Sequence, residues 1–141
     1  MAEFISSKIK TIVAKRARNI CEYFRTPSAF SSSKFSVEHI IPRANGGSDS
    51  LDNLAYACQG CNNIKFTKTE ALDPESNVPA PLFHPRNHSW AEHCCWDASL
   101  LGIIGLTPIG RATIQALRLN RDEVCNLRLV LFLIGEHPPQ N

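Results

Sequence analysis

Residues able to do chemistry together are gathered between positions 21 and 62: Cys21, Glu38, His39, Asn53, Cys58, Cys61 and Asn62. Cys58-Gln59-Gly60-Cys61 sets two thiols two residues apart, the spacing by which a knuckle offers two thiolates to one metal ion, and Cys21 supplies a third thiol. Glu38 and His39 form an adjacent acid–imidazole pair. An imidazole whose pKa lies near working pH is suited to take a proton from water. Asn53 and Asn62, taken singly, are ordinary turn and cap residues. Their joint spacing relative to the acid–imidazole pair and the knuckle singles them out.

The elements that must hold these residues can be read from the chain. Ile5, Ile9, Ile12, Val13 and Ile20 recur at helical spacing and predict a helix over 5–23. The Ser-rich stretch 25–34, with Pro27, reads as a loop. Phe35 to Ile41 (FSVEHII) is rich in strand formers and is ended by Pro42. ANGGSDS at 44–50 is turn chemistry, 51–57 is a second strand opened around Asn53, and 60–68 is a short helix. Strand, loop, strand and helix in this order make a ββα unit. Glu38 and His39 alternate faces on an ideal strand, so a twisted strand end is needed if both serve one site.

Beyond this unit, the proline-rich stretch 70–85 reads as a connector. Residues 90–96 and 100–106 predict a hairpin around Asp97-Ala98-Ser99. Thr107-Pro108 opens a helix to about Leu119, and Asn120, with Glu123 three residues later, caps another to about Ile134.

Composition narrows the partners. With 43% hydrophobic and 20% charged residues over 141 positions, the chain is expected to fold as one domain with a real core and not as a disordered segment. The net charge of +2 is unevenly spread. Residues 1–43 carry eight Lys or Arg against three acids, while residues 44–80 carry two against five. Basic charge at the front suits a phosphate backbone, although a solvated helix face has the same composition. No stretch approaches the ~18 apolar residues of a membrane span, and MAEFISSKIK lacks the apolar stretch of a secretory signal. A cytoplasmic protein is expected, whose cysteines are metal ligands or core thiols and not disulfides. Cys94, Cys95 and Cys125 read as buried thiols. Trp90 and Trp96 read as packing residues. His84, His88, His93 and Cys94 form a less favoured second metal grouping.

The string VEHIIPRANGGSDSLDNLAYACQGCNNIK, residues 37–65, resembles the HNH endonuclease family, whose fold is the ββα-metal finger. The likeness is close over 21–68. PLFHPRNHSWAEHCCW (81–96) and IGLTPIGRATIQALRLNR (104–121) also look like the C-terminal region of small stand-alone bacterial members. The resemblance implies an α+β fold over 1–141, with the core motif at 21–68, an N-terminal helix, and a C-terminal extension at 81–139 formed by a hairpin and two helices. It implies hydrolysis of DNA phosphodiester bonds, leaving 5′-phosphate and 3′-hydroxyl ends.

In that reading His39 is the general base, and Asn53 ties the connecting loop and orients His39. Glu38 and Asn62 are ligands to a catalytic Mg²⁺ or Mn²⁺, an ion that prefers oxygen donors and keeps several waters. Arg43, Lys65 and Lys68 face phosphates of the nucleic acid, expected to be double-stranded DNA; oligomeric state is left open. Two positions depart from the family's common pattern without removing an oxygen donor: Glu38 where Asp is frequent, and Asn62 where His is frequent. A third departure concerns the first cysteine pair, which is often Cys-x-x-Cys. Here Phe24 stands at the second position, so Cys21, Cys58 and Cys61 are one ligand short for a structural Zn²⁺. Water, or a histidine such as His84, His88 or His93, completes the set; otherwise Phe24 packs in its place and no ion binds. The alternative function is a non-catalytic nucleic-acid-binding module that retains the finger fold.

Overall fold

Helix α1 spans Ser7–Arg16 in the computed structural model, which describes residues 5–140. Ser6 caps it, its hydroxyl accepting from the Ile9 amide at 3.2 Å. The helix expected to reach residue 23 stops at 16, because Arg18 and Asn19 adopt positive φ (56° and 58°) and reverse the chain. Ile20 then bridges to Pro27, and the Cys21 amide donates to Thr26 O at 2.9 Å. Cys21 therefore sits on a tight loop and not at a helix end.

Strands β1 (Ser36–His39) and β2 (Leu54–Ala57) pair antiparallel, with Glu38 opposite Ala55 and His39 opposite Leu54. Both are shorter than the expected strands. Residues 43–45 and 51–53 are single 3₁₀ turns, so Asn53 closes a turn just before β2 and does not open the strand. Between them Gly46 takes φ 87°, and a Cβ on Gly47 would lie 1.7 Å from Ile41 O, so the path of the loop requires both glycines. Helix α2 (Gln59–Lys65) follows β2 and ends at Phe66, φ 48°, leaving Lys68 beyond it.

The connector at 70–85 is in fact a hairpin of β3 (Glu70–Leu72) and β4 (Pro79–Pro81). The Asp73 amide donates to Val78 O and the Leu82 amide to Thr69 O. Ladder bonds recur every second residue, so Pro79 and Pro81 fall where an N–H would point away from the partner strand. The prolines therefore cost no bond, yet they mask the strand in the sequence.

The last part of the chain contains α3 (Trp90–His93), β5 (Cys94–Trp96), β6 (Ile103–Gly105), α4 (Pro108–Leu117) and α5 (Asp122–Leu133). The expected hairpin forms between β5 and β6, and Asp97 Oδ1 accepts from Ser99 N and Oγ within its turn. Residues 90–93, read as strand, are one helical turn. Thr107 caps α4 with Pro108 at its first position. The expected cap of α5 does not form. Arg121 holds the N-cap position without a side-chain bond, and the Asn120 amide pairs with Ile103 N and O at 2.8 and 2.9 Å. Its energy goes to holding β6 against the entry to α5.

Five helices and three two-stranded antiparallel sheets among the described residues make the fold α+β. The core joins both ends of the chain: Cys21, Phe24, Cys58 and Cys61 pack in one cluster with Phe83, Ile103, Leu117 and Val124. Arg128 of α5 is wholly buried and donates to Leu101 O and Leu119 O, each at 2.8 Å, and to Phe24 O at 3.2 Å. Cys94 is buried as expected, while Cys95 and Cys125 are only half-buried. No helix among the described residues is long and apolar enough to cross a membrane.

Candidate functional site

The end of β1 divides Glu38 and His39 between two environments, as strand alternation requires. His39 faces outward, its side chain 16% exposed, and its Nε2 lies 2.8 Å from Asp49 Oδ1. The same oxygen accepts from Arg43 Nε at 2.8 Å. These hydrogen bonds, Arg43's first and His39's second, hold the Asp49 carboxyl below its ordinary range. Beside His39 runs a groove of about 410 Å³ lined by Lys10 from α1, Val37, Arg43 and Tyr56, among others. Asn53 fixes the loop that carries Asp49: its Oδ1 accepts from Ile41 N at 2.9 Å, and its Nδ2 donates to Ile41 O at 3.0 Å and Ser48 O at 2.8 Å.

Glu38 turns inward and is 4% exposed. Tyr23 Oη donates to its Oε2 at 2.7 Å, and Lys65 Nζ of α2 lies 2.7 Å from its Oε1. Lys65 directs a hydrogen bond to Ile40 O, also at 2.7 Å, so its contact with Glu38 is an ion pair by distance and leaves Oε1 without an aligned hydrogen bond. Burial, the largest influence, raises the Glu38 pKa, while the Lys65 charge and the Tyr23 hydroxyl pull it down. Asn62 of α2 spends its Nδ2 on Ser36 Oγ at 3.1 Å, and Ser36 lies on the same face of β1 as Glu38.

The sulfur atoms of Cys21, Cys58 and Cys61 lie within 4.8 Å of one another, all buried, in an arrangement that could hold a metal ion. Backbone amides point at them: Phe24 N and Cys58 N toward Cys21 Sγ at 3.3 and 3.4 Å, and Cys61 N toward Cys58 Sγ at 3.3 Å. Hydrogen bonds from Cys21 and Cys61 lower the Cys58 pKa, whereas burial pushes Cys21 and Cys61 up. Phe24 is buried against this cluster, with the Arg121 guanidinium 4.3 Å from its ring. A groove of about 330 Å³, lined by Phe24, Phe30, Phe35, Cys58 and Arg121 among others, reaches the cluster at Cys58.

Residues 24–75 match the HNH endonuclease family. Comparison with curated proteins and with solved structures returns no match. The HNH segment takes in Glu38, His39, Asn53, Cys58, Cys61 and Asn62, and it begins three residues after Cys21. The stretches 81–96 and 104–121 lie beyond it.

Two expectations for the HNH segment need correction. Lys65 was expected to face phosphates, but it is 1% exposed and its ammonium is spent on Glu38 and Ile40 O, so it offers nucleic acid nothing. No histidine joins the sulfur cluster among the described residues. The Nδ1 atoms of His84 and His88 accept from backbone amides instead, and His93 Nδ1 pairs with Thr107 Oγ1 at 2.7 Å. Nor do His84, His88, His93 and Cys94 gather into a metal grouping among the described residues. Lys68 is exposed, with its Nζ on Ile64 O at 2.8 Å. Asp49, Tyr23 and Lys10 carry no sequence signal of a site: Asp49 belongs to the turn chemistry of GGSDS, Tyr23 has no distinguishing neighbour, and Lys10 is one charge among several on the basic front of the chain.

Proposed function

We propose that this chain is a metal-dependent DNA endonuclease whose ββα-metal core is β1, β2 and α2, acting as one unit over residues 1–141. The observation that carries the reading is His39, standing at the edge of a groove within the family-matching segment, with its Nε2 bound to Asp49. A neutral imidazole held from one nitrogen has the other directed for proton transfer. His39 takes the proton from the attacking water, and Asp49 orients the ring and stabilises the imidazolium that forms. Asn53 positions both by pinning the loop at Ile41 and Ser48. Arg43 and Lys10 line the His39 groove and Lys68 is exposed beyond α2; these three would supply the sequence-independent part of the affinity.

The donors near Glu38 are of the type Mg²⁺ or Mn²⁺ prefers, a carboxylate and an amide oxygen, with Glu38 Oε1 now facing the Lys65 ammonium at 2.7 Å and the Asn62 nitrogen end committed to Ser36. Glu38 and Asn62 would hold the ion once Lys65 yields Glu38 Oε1 and the end of β1 twists to bring Glu38 to the His39 side, because the two residues now face opposite sides of the strand. Bound there, the ion would neutralise charge on the phosphate and its leaving oxygen. Cys21, Cys58 and Cys61 would hold a structural Zn²⁺ through their three thiolates.

The deciding experiment is plasmid nicking with Mg²⁺ or Mn²⁺, comparing wild type with His39→Ala. His39→Ala is expected to lose roughly 10²–10⁴-fold of the rate while keeping the fold. Equal cleavage by the variant removes His39 from the mechanism. Salt-dependent DNA binding without any cleavage selects the non-catalytic binding module instead.

A further inference from the structure

Three depressions adjoin in series. The groove beside His39 shares Phe35 and Tyr56 with a second hollow of about 350 Å³, whose lining includes Ser31, Ser32 and Ser33. The same three serines and Phe35 also line the groove of about 330 Å³ that holds Phe30 and Arg121. The run Ser31-Ser32-Ser33-Lys34 is exposed throughout, and its serines are too small to fill the space. Phe30 ends a single 3₁₀ turn just before it, is 43% exposed and takes no part in the core cluster. Phe35 and Tyr56 are half-buried, with ring centroids 5.2 Å apart. Aromatic rings therefore recur along the path. So do cations: Lys10 and Arg43 line the His39 end, Lys34 the middle and Arg121 the other end. Among the described residues Glu123 is the sole acid in these linings. Arg43 pairs with Asp49 and Arg121 with Glu123, so the surplus charge is that of Lys10 and Lys34.

We infer that this path binds an unpaired strand of DNA leading to or from the His39 groove, so that the substrate is a duplex bearing a single-stranded tail. The inference rests on the nuclease reading for the identity of its partner. Bases stack on the rings of Phe35, Tyr56 and Phe30, while Lys10, Lys34 and the serine hydroxyls meet phosphates. Single-strand sites combine a positive groove with aromatic platforms, and stacking tolerates any sequence because every base has a π-face. In a duplex each base face is covered by the neighbouring pair, so rings set along a groove have nothing to stack on. A site for duplex backbone alone calls for cations and hydrogen-bond donors, not for a phenylalanine left in water. The serine run puts no bulky side chain in the path, which leaves the strand room to cross from one depression to the next.

The test is fluorescence anisotropy of the full chain, without Mg²⁺ or Mn²⁺, on a blunt DNA duplex and on the same duplex carrying a tail of about ten unpaired thymidines. The tail is expected to tighten binding at least about tenfold. Phe30→Ser should lose about five- to hundredfold of the affinity for the tailed duplex and none for the blunt one, with unchanged circular dichroism. Lys34→Ala should lower the slope of log affinity against log salt by about 0.7 on the tailed duplex alone. The added emission of Phe30→Trp should be quenched by the tailed duplex and not by the blunt one, a signature that a merely structural role for this position would not give. A tail that adds nothing, or a gain that survives Phe30→Ser, overturns the inference. Plasmid nicking run in parallel separates the two readings. A wild type that nicks yet ignores the tail overturns the strand path and leaves the nuclease standing. A tail-dependent gain that needs Phe30, in a protein that never nicks, upholds the path and removes the catalysis. A chain that binds neither duplex overturns both.

Discussion

Replacing Lys65 by Met tests the Glu38 corner most directly. Met has about the length of the lysine stem, so the variant removes the charge with little change in packing. It leaves a 4% exposed carboxylate with Tyr23 as its remaining partner. Deleting one member of a buried ion pair costs about 3–5 kcal/mol, because the survivor stays desolvated. For a chain of 141 residues, about 2–4 °C of melting temperature accompanies each kcal/mol, so the loss is about 6–20 °C. Thermal and urea unfolding followed by circular dichroism give both numbers. The pH dependence carries its own sign. A carboxyl whose folded pKa is raised binds more protons folded than unfolded, so it favours folding below the ordinary carboxylate range and loses that contribution as pH rises through the raised folded value. Removing Lys65 raises the Glu38 pKa further, so the deficit should be small at acidic pH and grow toward neutrality. Adding Glu38→Gln should recover much of it. A Lys65→Met protein that melts within about 1 °C of wild type at neutral pH, or whose deficit does not change with pH, refutes a buried, ionised pair.

Asn53→Ala removes three hydrogen bonds within the loop, at about 1 kcal/mol each; a loss near 3 kcal/mol in urea unfolding is expected, and one below about 1 contradicts the pinning role. Asp49→Asn should keep the fold, because the side chain is 51% exposed, yet slow nicking about tenfold through a less well-held His39; an unchanged rate would leave Asp49 without a role. Metal analysis of the purified chain should give zinc in wild type and none in Cys61→Ser, with a lower melting temperature in the variant. Zinc-free wild type that melts normally would make the three thiols core residues.

What the sequence disclosed was the local chemistry with a spacing signature. The strand–turn–strand–helix order, the Gly46-Gly47 turn, the Asp97 hairpin and the Thr107-Pro108 helix start all rest on residues whose backbone preferences are strong. What it concealed were decisions made by tertiary contact. The isoleucine period ran on past residue 16, but Arg18 and Asn19 turned the chain, so the period described apolar positions of two different segments. Pro79 and Pro81 looked like breakers because nothing in the sequence says which edge of a strand faces a partner. Lys65 looked like a phosphate ligand because a lysine beside a knuckle looks the same whether its helix turns it outward or toward Glu38. Asp49 and Tyr23 matter only through what the fold brings against them.

The guanidinium of Arg128 bears on how the family-matching segment relates to the rest of the chain. It donates to Phe24 O, on the loop that also carries Cys21, from a helix more than a hundred residues further on. Excising 24–75 as a cassette would strip that carbonyl of its donor, expose the Phe24 ring now under Arg121, and leave Cys58 and Cys61 without Cys21. The family match covers 24–75, while the packing that keeps that segment in shape is closed by an arginine of the last helix.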